Sequence, residues 1–233
     1  MQLKRHRNER GPTDAGWLKS MHTFSFGQYY DPAHMGFGPL RVINDDRVIP
    51  GAGFGTHPHS NMEIISYVLS GELAHKDSMG NGSTIKPGEV QLMSAGRGVT
   101  HSEYNASSTE GVHFLQIWIM PNKQNGKPGY QQKAFDPAEM RGKFRTVVSP
   151  DGEDGSLVVK QDARLLTGHF VEGDKVTVKT KSGRKYWLHL ASGIVTVNGE
   201  EAKSGDGFSI EREKTIAITS QAESEILLFD LAE

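Results

Sequence analysis

The sequence predicts an all-β protein built from two tandem β-barrels. Three observations carry this. The apolar runs are short and rich in β-branched and aromatic residues. Turn signals drawn from 27 glycines separate them, and a polar stretch at 121–143 divides them into two series. No long segment has a helical period.

In order, HTFSFGQYY (22–30) sets Phe24 and Phe26 on one face of a predicted strand. LRVIND (40–45), EIISYVLSG (63–71), EVQLMSAG (89–96) and VHFLQIWIM (112–120) follow, separated by turns at 31–34, 50–55, 79–82 and 87–89. Asp45-Asp46 reads as a solvated turn. The stretch 121–143 reads as an interdomain connection, with DPAEMRGK (136–143) the one candidate for a short helix. A second β-rich series runs from RTVVS (145–149) to EILLFDL (225–231), with hairpin signals at 179–183 and at Asn198-Gly199. The KTKSGRK run (179–185) reads as an exposed cationic hairpin. The expected division is 1–133 and 134–233. Short matches around Ser70-Gly71 and Ser192-Gly193, and around Gly88 and Gly205, suggest that the halves are repeats.

Composition excludes several chemistries. Zero cysteines leave no disulfide, thiolate zinc site, iron–sulfur cluster or thiol nucleophile. A net charge of −2 gives no electrostatic case for nucleic acid. The start, MQLKRHRNERG, is basic but precedes no apolar run, so a polar arm is expected rather than a leader or a membrane span. The expectation is a cytoplasmic monomer with no membrane or nucleic-acid partner.

The histidines are unevenly placed. Eight of the ten lie in the first 113 residues; only His169 and His189 follow. In an extended His57-Pro58-His59, residues i and i+2 share a face, so both imidazoles point the same way. His101-Ser102-Glu103 repeats this with an imidazole and a carboxylate. Two adjacent strands carrying these pairs would gather three nitrogens and one oxygen, a donor set for a divalent transition metal with open positions. His75 and His113 lie on predicted strands nearby, and each alone reads as structural. Gln116 and Met93 are candidates to line a cavity. Phe24, Phe26, Phe54 and Trp118 are candidates for an apolar pocket.

The spacing resembles a known family. Gly51, five residues, His57-Pro58-His59, three residues, Glu63 and a closing Gly71 resemble the first cupin motif. Gly88, five residues, Ser94-Ala95-Gly96, four residues, His101, three residues and Asn105 resemble the second, with Ser for the usual Pro and two extra residues before the histidine. FGTHPHSNMEIISYVLSGELAHKDSMGN followed by PGEVQLMSAGRGVTHSEYN is similar to the pirin family of bicupins, strongly from Phe24 to Pro121.

The resemblance implies two tandem cupin (double-stranded β-helix, jelly-roll) barrels with a metal in the N-terminal one only. It implies His57, His59, His101 and Glu103 as ligands. Glu63, the motif-one ligand in other cupins, is also present, so a swap of carboxylates stays open, with Glu103 favoured. Counting back from Gly193 as from Gly71 puts Lys179, Lys181 and Lys185 where His57, His59 and Glu63 stand. An ammonium has no lone pair to offer a metal. The resemblance further implies a quercetin 2,3-dioxygenase-like activity. One divalent metal, Fe(II) before Mn, Co, Ni, Cu or Zn, would act with O2 on a flavonol-like aromatic and release CO, with Glu103 as general base. The alternative is a metal-containing regulatory module without turnover.

Overall fold

Period-two runs become strands, and glycines set where they turn. All of residues 1–233 are described by the structure, a computed structural model. The first half contains β1 (Gln2–Arg5), β2 (Gly11–Asp14), β3 (Leu18–His22), β4 (Leu40–Val48), β5 (Gly53–His59) and β6 (Glu63–Ser70). It continues with β7 (Leu73–Asp77), β8 (Gly82–Ile85), β9 (Glu89–Ser94), β10 (Val99–Asn105), β11 (Val112–Ile119) and β12 (Gly129–Ala134). The second half contains β13 (Arg145–Ser149), β14 (Leu157–Val158), β15 (Ala163–Phe170), β16 (Lys175–Lys179) and β17 (Arg184–Ser192). It ends with β18 (Ile194–Val197), β19 (Glu200–Lys203), β20 (Gly207–Glu211), β21 (Thr215–Ser220) and β22 (Ser224–Ala232). No helix is long and apolar enough to cross a membrane.

The chain sorts into two compact units: 11–135 with 159–161, and 1–10 with 136–158 and 162–233. Each has a seven-stranded and a four-stranded sheet. In the first unit the orders are β12-β9-β6-β11-β4-β3-β2 and β5-β10-β7-β8. In the second they are β1-β20-β17-β22-β15-β13-β14 and β16-β21-β18-β19. The strand orders superpose, so the short matches in the sequence mark a true structural repeat.

Gly71 and Gly193 show why the repeat is legible. Both have positive φ, 75° and 92°. A Cβ at Gly71 would strike the Gly111 carbonyl, and one at Gly193 the Glu223 carbonyl. Asn198 (φ 47°) and Gly199 (φ 88°) form the predicted two-residue hairpin turn between β18 and β19.

Several expectations differ from the fold. The basic start is no free arm: β1 pairs along β20, Gln2 opposite Ile210, and closes the edge of the second unit's large sheet. A cut at 133/134 therefore leaves residues 1–10 on the wrong side. The polar connection contains β12, which pairs with β9, because its backbone completes an edge that its polar side chains do not advertise. Residues 136–143 give only a 3-10 turn, Pro137–Glu139, capped by the Asp136 side chain accepting from Ala138 N–H. Phe24 and Phe26 fall in a loop after β3, where Phe24 is buried and Phe26 partly so. Asp45 and Asp46 are no solvated turn: both are buried within β4.

Candidate metal centre

Inward faces of the first barrel carry polar residues among apolar ones, in the order apolar, polar, apolar on two of the strands. On β6 the inward sequence is Ile64, Ser66, Val68, with Ile64 and Val68 in separate apolar clusters. On β11 it is Phe114, Gln116, Trp118, and on β10 Val99, His101, Glu103. A polar belt thus crosses the barrel between two hydrocarbon layers.

The belt brings the predicted residues together. β5 and β10 are antiparallel neighbours with His57 opposite His101 and His59 opposite Val99. The metal-capable nitrogens of His57, His59 and His101 all lie within 4.8 Å of one another. His57 Nε2 and His101 Nε2 are 3.1 Å apart. Glu103 Oε2 lies 4.0 Å from His101 Nε2, and Glu103 forms a second close set with His75 and His101. Glu63 belongs to neither set. Its Oε2 accepts from Ser94 Oγ at 2.8 Å and from the Lys160 backbone N–H at 3.2 Å.

Neighbouring groups fix each ring. His57 Nδ1 donates to the Gly55 carbonyl at 2.8 Å, which leaves its Nε2 as the lone-pair nitrogen. Gln91 Nε2 donates to His75 Nδ1 at 3.1 Å, so His75 Nε2–H faces Asp77 Oδ2 at 3.2 Å. His101 Nδ1 lies 3.5 Å from His75 Nδ1. Glu103 is held on both oxygens, by Ser66 Oγ at 3.1 Å and by Gln116 Nε2 at 2.7 Å. Trp118 Nε1 in turn donates to Gln116 Oε1 at 3.1 Å.

Burial sets the protonation states. His59 is pushed down to about 4 by burial and by His57. His101 is pushed down to about 3 by burial and then by His59, His57 and His75. Both are neutral at pH 7 and carry available lone pairs. Burial raises Glu103 and Glu63 above the ordinary carboxylate range, and raises Asp46 to about 7, helped by Glu103 and Asp45.

The residues fit a divalent metal. His59 Nε2 is buried without a hydrogen-bond partner, an arrangement that costs stability unless something fills it. Imidazole nitrogens with a nearby carboxylate suit first-row metals. A cavity of about 210 Å³ opens on this group, lined by His57, His59, Glu103 and Gln116, by Leu18, Phe26, Phe54 and Trp118, and by Ser20, His22, Asn44 and Asp46. Phe26, Phe54, Trp118 and Gln116 therefore stand where the sequence suggested. Phe24 and Met93 do not line the cavity, and Met93 packs with Ile64 and Val99. Of the other histidines, His34 pairs with Asp31 and His113 with Asp45, each at 2.7 Å.

Residues 3–119 match the family model for pirin, and residues 146–231 that for the quercetinase C-terminal cupin domain. The chain belongs to the pirin family. It is 50% identical over 227 residues to a quercetin 2,3-dioxygenase of Escherichia coli (strain K12), covering 97% of each chain. It is 42% identical to a pirin-like protein of Caulobacter vibrioides, over 95% of this chain and 96% of that protein. A crystal structure of an Escherichia coli bacterial pirin in complex with nickel(II) is similar at TM-score 0.95 and 47% identity, covering 100% of this chain and 99% of that one.

Sequence reasoning underrated two members of this pirin's polar belt. His75 read as structural, and Gln91 and Asp77 do occupy its two nitrogens, but it also lies against His101 and within the second close set. Asp46 read as solvated. Its signal was a carboxylate inside the apolar run LRVINDDRVI, at the same strand parity as Asn44 and Val48.

Proposed function

We propose that this pirin is a metal-dependent dioxygenase that cleaves a flavonol such as quercetin with O2 and releases CO. His57, His59, His101 and Glu103 would hold one divalent transition metal, Fe(II) before its neighbours, and the second barrel none. The observation that carries this reading is the convergence of three imidazoles, two of them held neutral, beside a buried carboxylate at a cavity walled by aromatic rings. The name of the Escherichia coli relative supports the substrate class.

The metal would supply Lewis acidity at the substrate's vicinal oxygens and the route to O2. The protein's own residues do the rest. Phe26, Phe54 and Trp118 supply an apolar wall against which an aromatic ligand packs and sheds water. Glu103 accepts the proton of the flavonol 3-hydroxyl on Oε2, and burial favours that proton's transfer. Gln116 and Ser66 keep the carboxylate aimed through the transfer. The Gly55 carbonyl keeps the His57 ring from turning.

Elemental analysis of the purified protein, paired with anaerobic Fe(II) loading and aerobic incubation with quercetin, tests the proposal. Loss of the visible flavonol band with release of CO is expected. A second reading, a metal-containing regulatory module, draws on the cavity volume: about 210 Å³ is below the roughly 300–1,000 Å³ common for enclosing small molecules. No turnover above the free-metal control would establish that reading instead. The same proposal takes the protein to be a cytoplasmic monomer, which sizing in solution checks.

A further inference from the structure

Asp46 is the cavity-wall carboxylate that the metal set does not use. It lies on β4, opposite Phe114 of β11 and Ser20 of β3. Asn44, one inward position earlier, stands opposite Gln116 and His22. Inward neighbours on a strand are about 7 Å apart. Asp46 is therefore displaced from the Glu103–Gln116 pair by about the width of an aromatic ring.

The groups around it are already satisfied. His22 Nδ1 donates to Asn44 Oδ1 at 2.8 Å, and the other ring nitrogen lies 2.8 Å from Thr13 Oγ1. The Ser20 hydroxyl donates to the Asp46 carboxylate. Asp46 Oδ1 alone is left: it is buried and accepts from nothing, on a residue only 3% exposed that lines the cavity. The fold itself does not require a carboxylate here. In the second barrel, Gly168 stands opposite Ile226 as Asp46 stands opposite Phe114.

An unpaired acceptor on a cavity-lining side chain selects ligands that bring a donor, because a ligand lacking one leaves it unpaired. We propose that Asp46 determines specificity: its Oδ1 accepts a hydrogen bond from a second hydroxyl of the substrate, remote from the hydroxyl presented to Glu103. The ligand class is accordingly a polyhydroxylated aromatic. The inference rests on the flavonol reading for the orientation of the ligand, but it is tested by binding rather than turnover.

The test compares quercetin, which carries hydroxyls on its outer rings, with 3-hydroxyflavone, which has only the hydroxyl next to the carbonyl. Affinities are measured by calorimetry on the metal-loaded full chain without oxygen. The wild type is expected to prefer quercetin by about tenfold or more. In Asp46→Leu that preference should shrink to within about twofold, with Asp46→Asn, which keeps one acceptor oxygen, in between. A wild-type ratio near one overturns the inference whether or not the variants fold. So does an unchanged ratio in a folded Asp46→Leu protein. The aerobic quercetin assay is read separately. Discrimination without turnover keeps Asp46 as the selector and removes the dioxygenase, whereas turnover without discrimination does the reverse.

Discussion

Strand pairing lets the two barrels be compared residue for residue. Ser66 faces Gln116 and Gln91 in the first; Leu188 faces Leu228 and Phe208 in the second. His75 faces Glu103 in the first, and Val197 faces Ile218 in the second. Each of these polar residues has a hydrocarbon counterpart, and those counterparts belong to one buried cluster. The backbone therefore does not demand the polar belt. A barrel of this strand order closes around leucine and isoleucine, and the first barrel gives up that packing to keep lone pairs inside. Burying polar groups costs stability unless they are paired, so the density of hydrogen bonds around Glu103 is what makes the first interior tolerable.

The largest test of this contrast removes a nitrogen. His101→Ala should reduce bound metal to background and abolish ring cleavage, while circular dichroism stays that of the wild type. A variant that keeps its metal would break the contrast outright.

The converse exchange puts the first barrel's carboxylate into the second. Ile218→Glu should cost about 3–5 kcal/mol at neutral pH, because no Ser or Gln stands ready to receive it. Burial raises its folded pKa above the unfolded value. The loss should therefore ease as pH falls below that raised pKa, which urea midpoints at pH 8 and pH 5 would reveal.

Exchanging a partner of the carboxylate has a smaller effect. Gln116→Leu, the residue of the second barrel at that place, removes one charge-assisted hydrogen bond of about 1.5–3 kcal/mol. Metal should stay bound while turnover falls about 10- to 100-fold; loss of metal with turnover would make Gln116 part of the scaffold.

A gentler difference lies in acid sensitivity. His59 and His101 have folded pKa values of about 4 and 3, below the ordinary value of 6.5. The unfolded chain takes up their protons first, so their contribution is present above about pH 6.5 and is lost as pH falls towards 3–4. Metal-free wild type should lose stability across that window by chemical denaturation. The His59→Leu, His101→Leu double variant should lose less.

The smallest expected effect is no effect. Lys179→His with Lys181→His places imidazoles where sequence counting puts the ligands of the second barrel. Metal per chain should not rise. Lys179 is exposed on β16, and its neighbours Val176 and Val178 pack against the core.

That last case shows how far the sequence carried and where it stopped. Barrels, repeat and the meeting of His57, His59, His101 and Glu103 were legible because motif spacing and period-two runs survive in one dimension. Counting worked for Glu63 and Lys185, since Lys185 faces Glu211 and Leu231 as Glu63 faces Ser94 and Ile119. It failed for His57. Six positions separate His57 from Glu63 but seven separate Val178 from Lys185, so Val178, opposite Ile216, takes the place of His57, and Lys179 points outward. A one-residue slip flips a strand's faces. Asp46, β1 and β12 were hidden for a related reason. Their partners lie far along the chain, and only pairing tells an inward carboxylate, or a polar edge strand, from a solvated one.

The pairing of Gln2 with Ile210 also bears on how the protein is made. A ribosome adding about 5–20 residues each second needs roughly 10–40 s between them. All but three residues of the first unit fall in 11–135, so it can close early in synthesis. The opening strand must stay unpaired until its partner emerges near the end. An N-terminal fusion or a short leading truncation should thus slow maturation of the barrel made last and spare the one that carries the histidines.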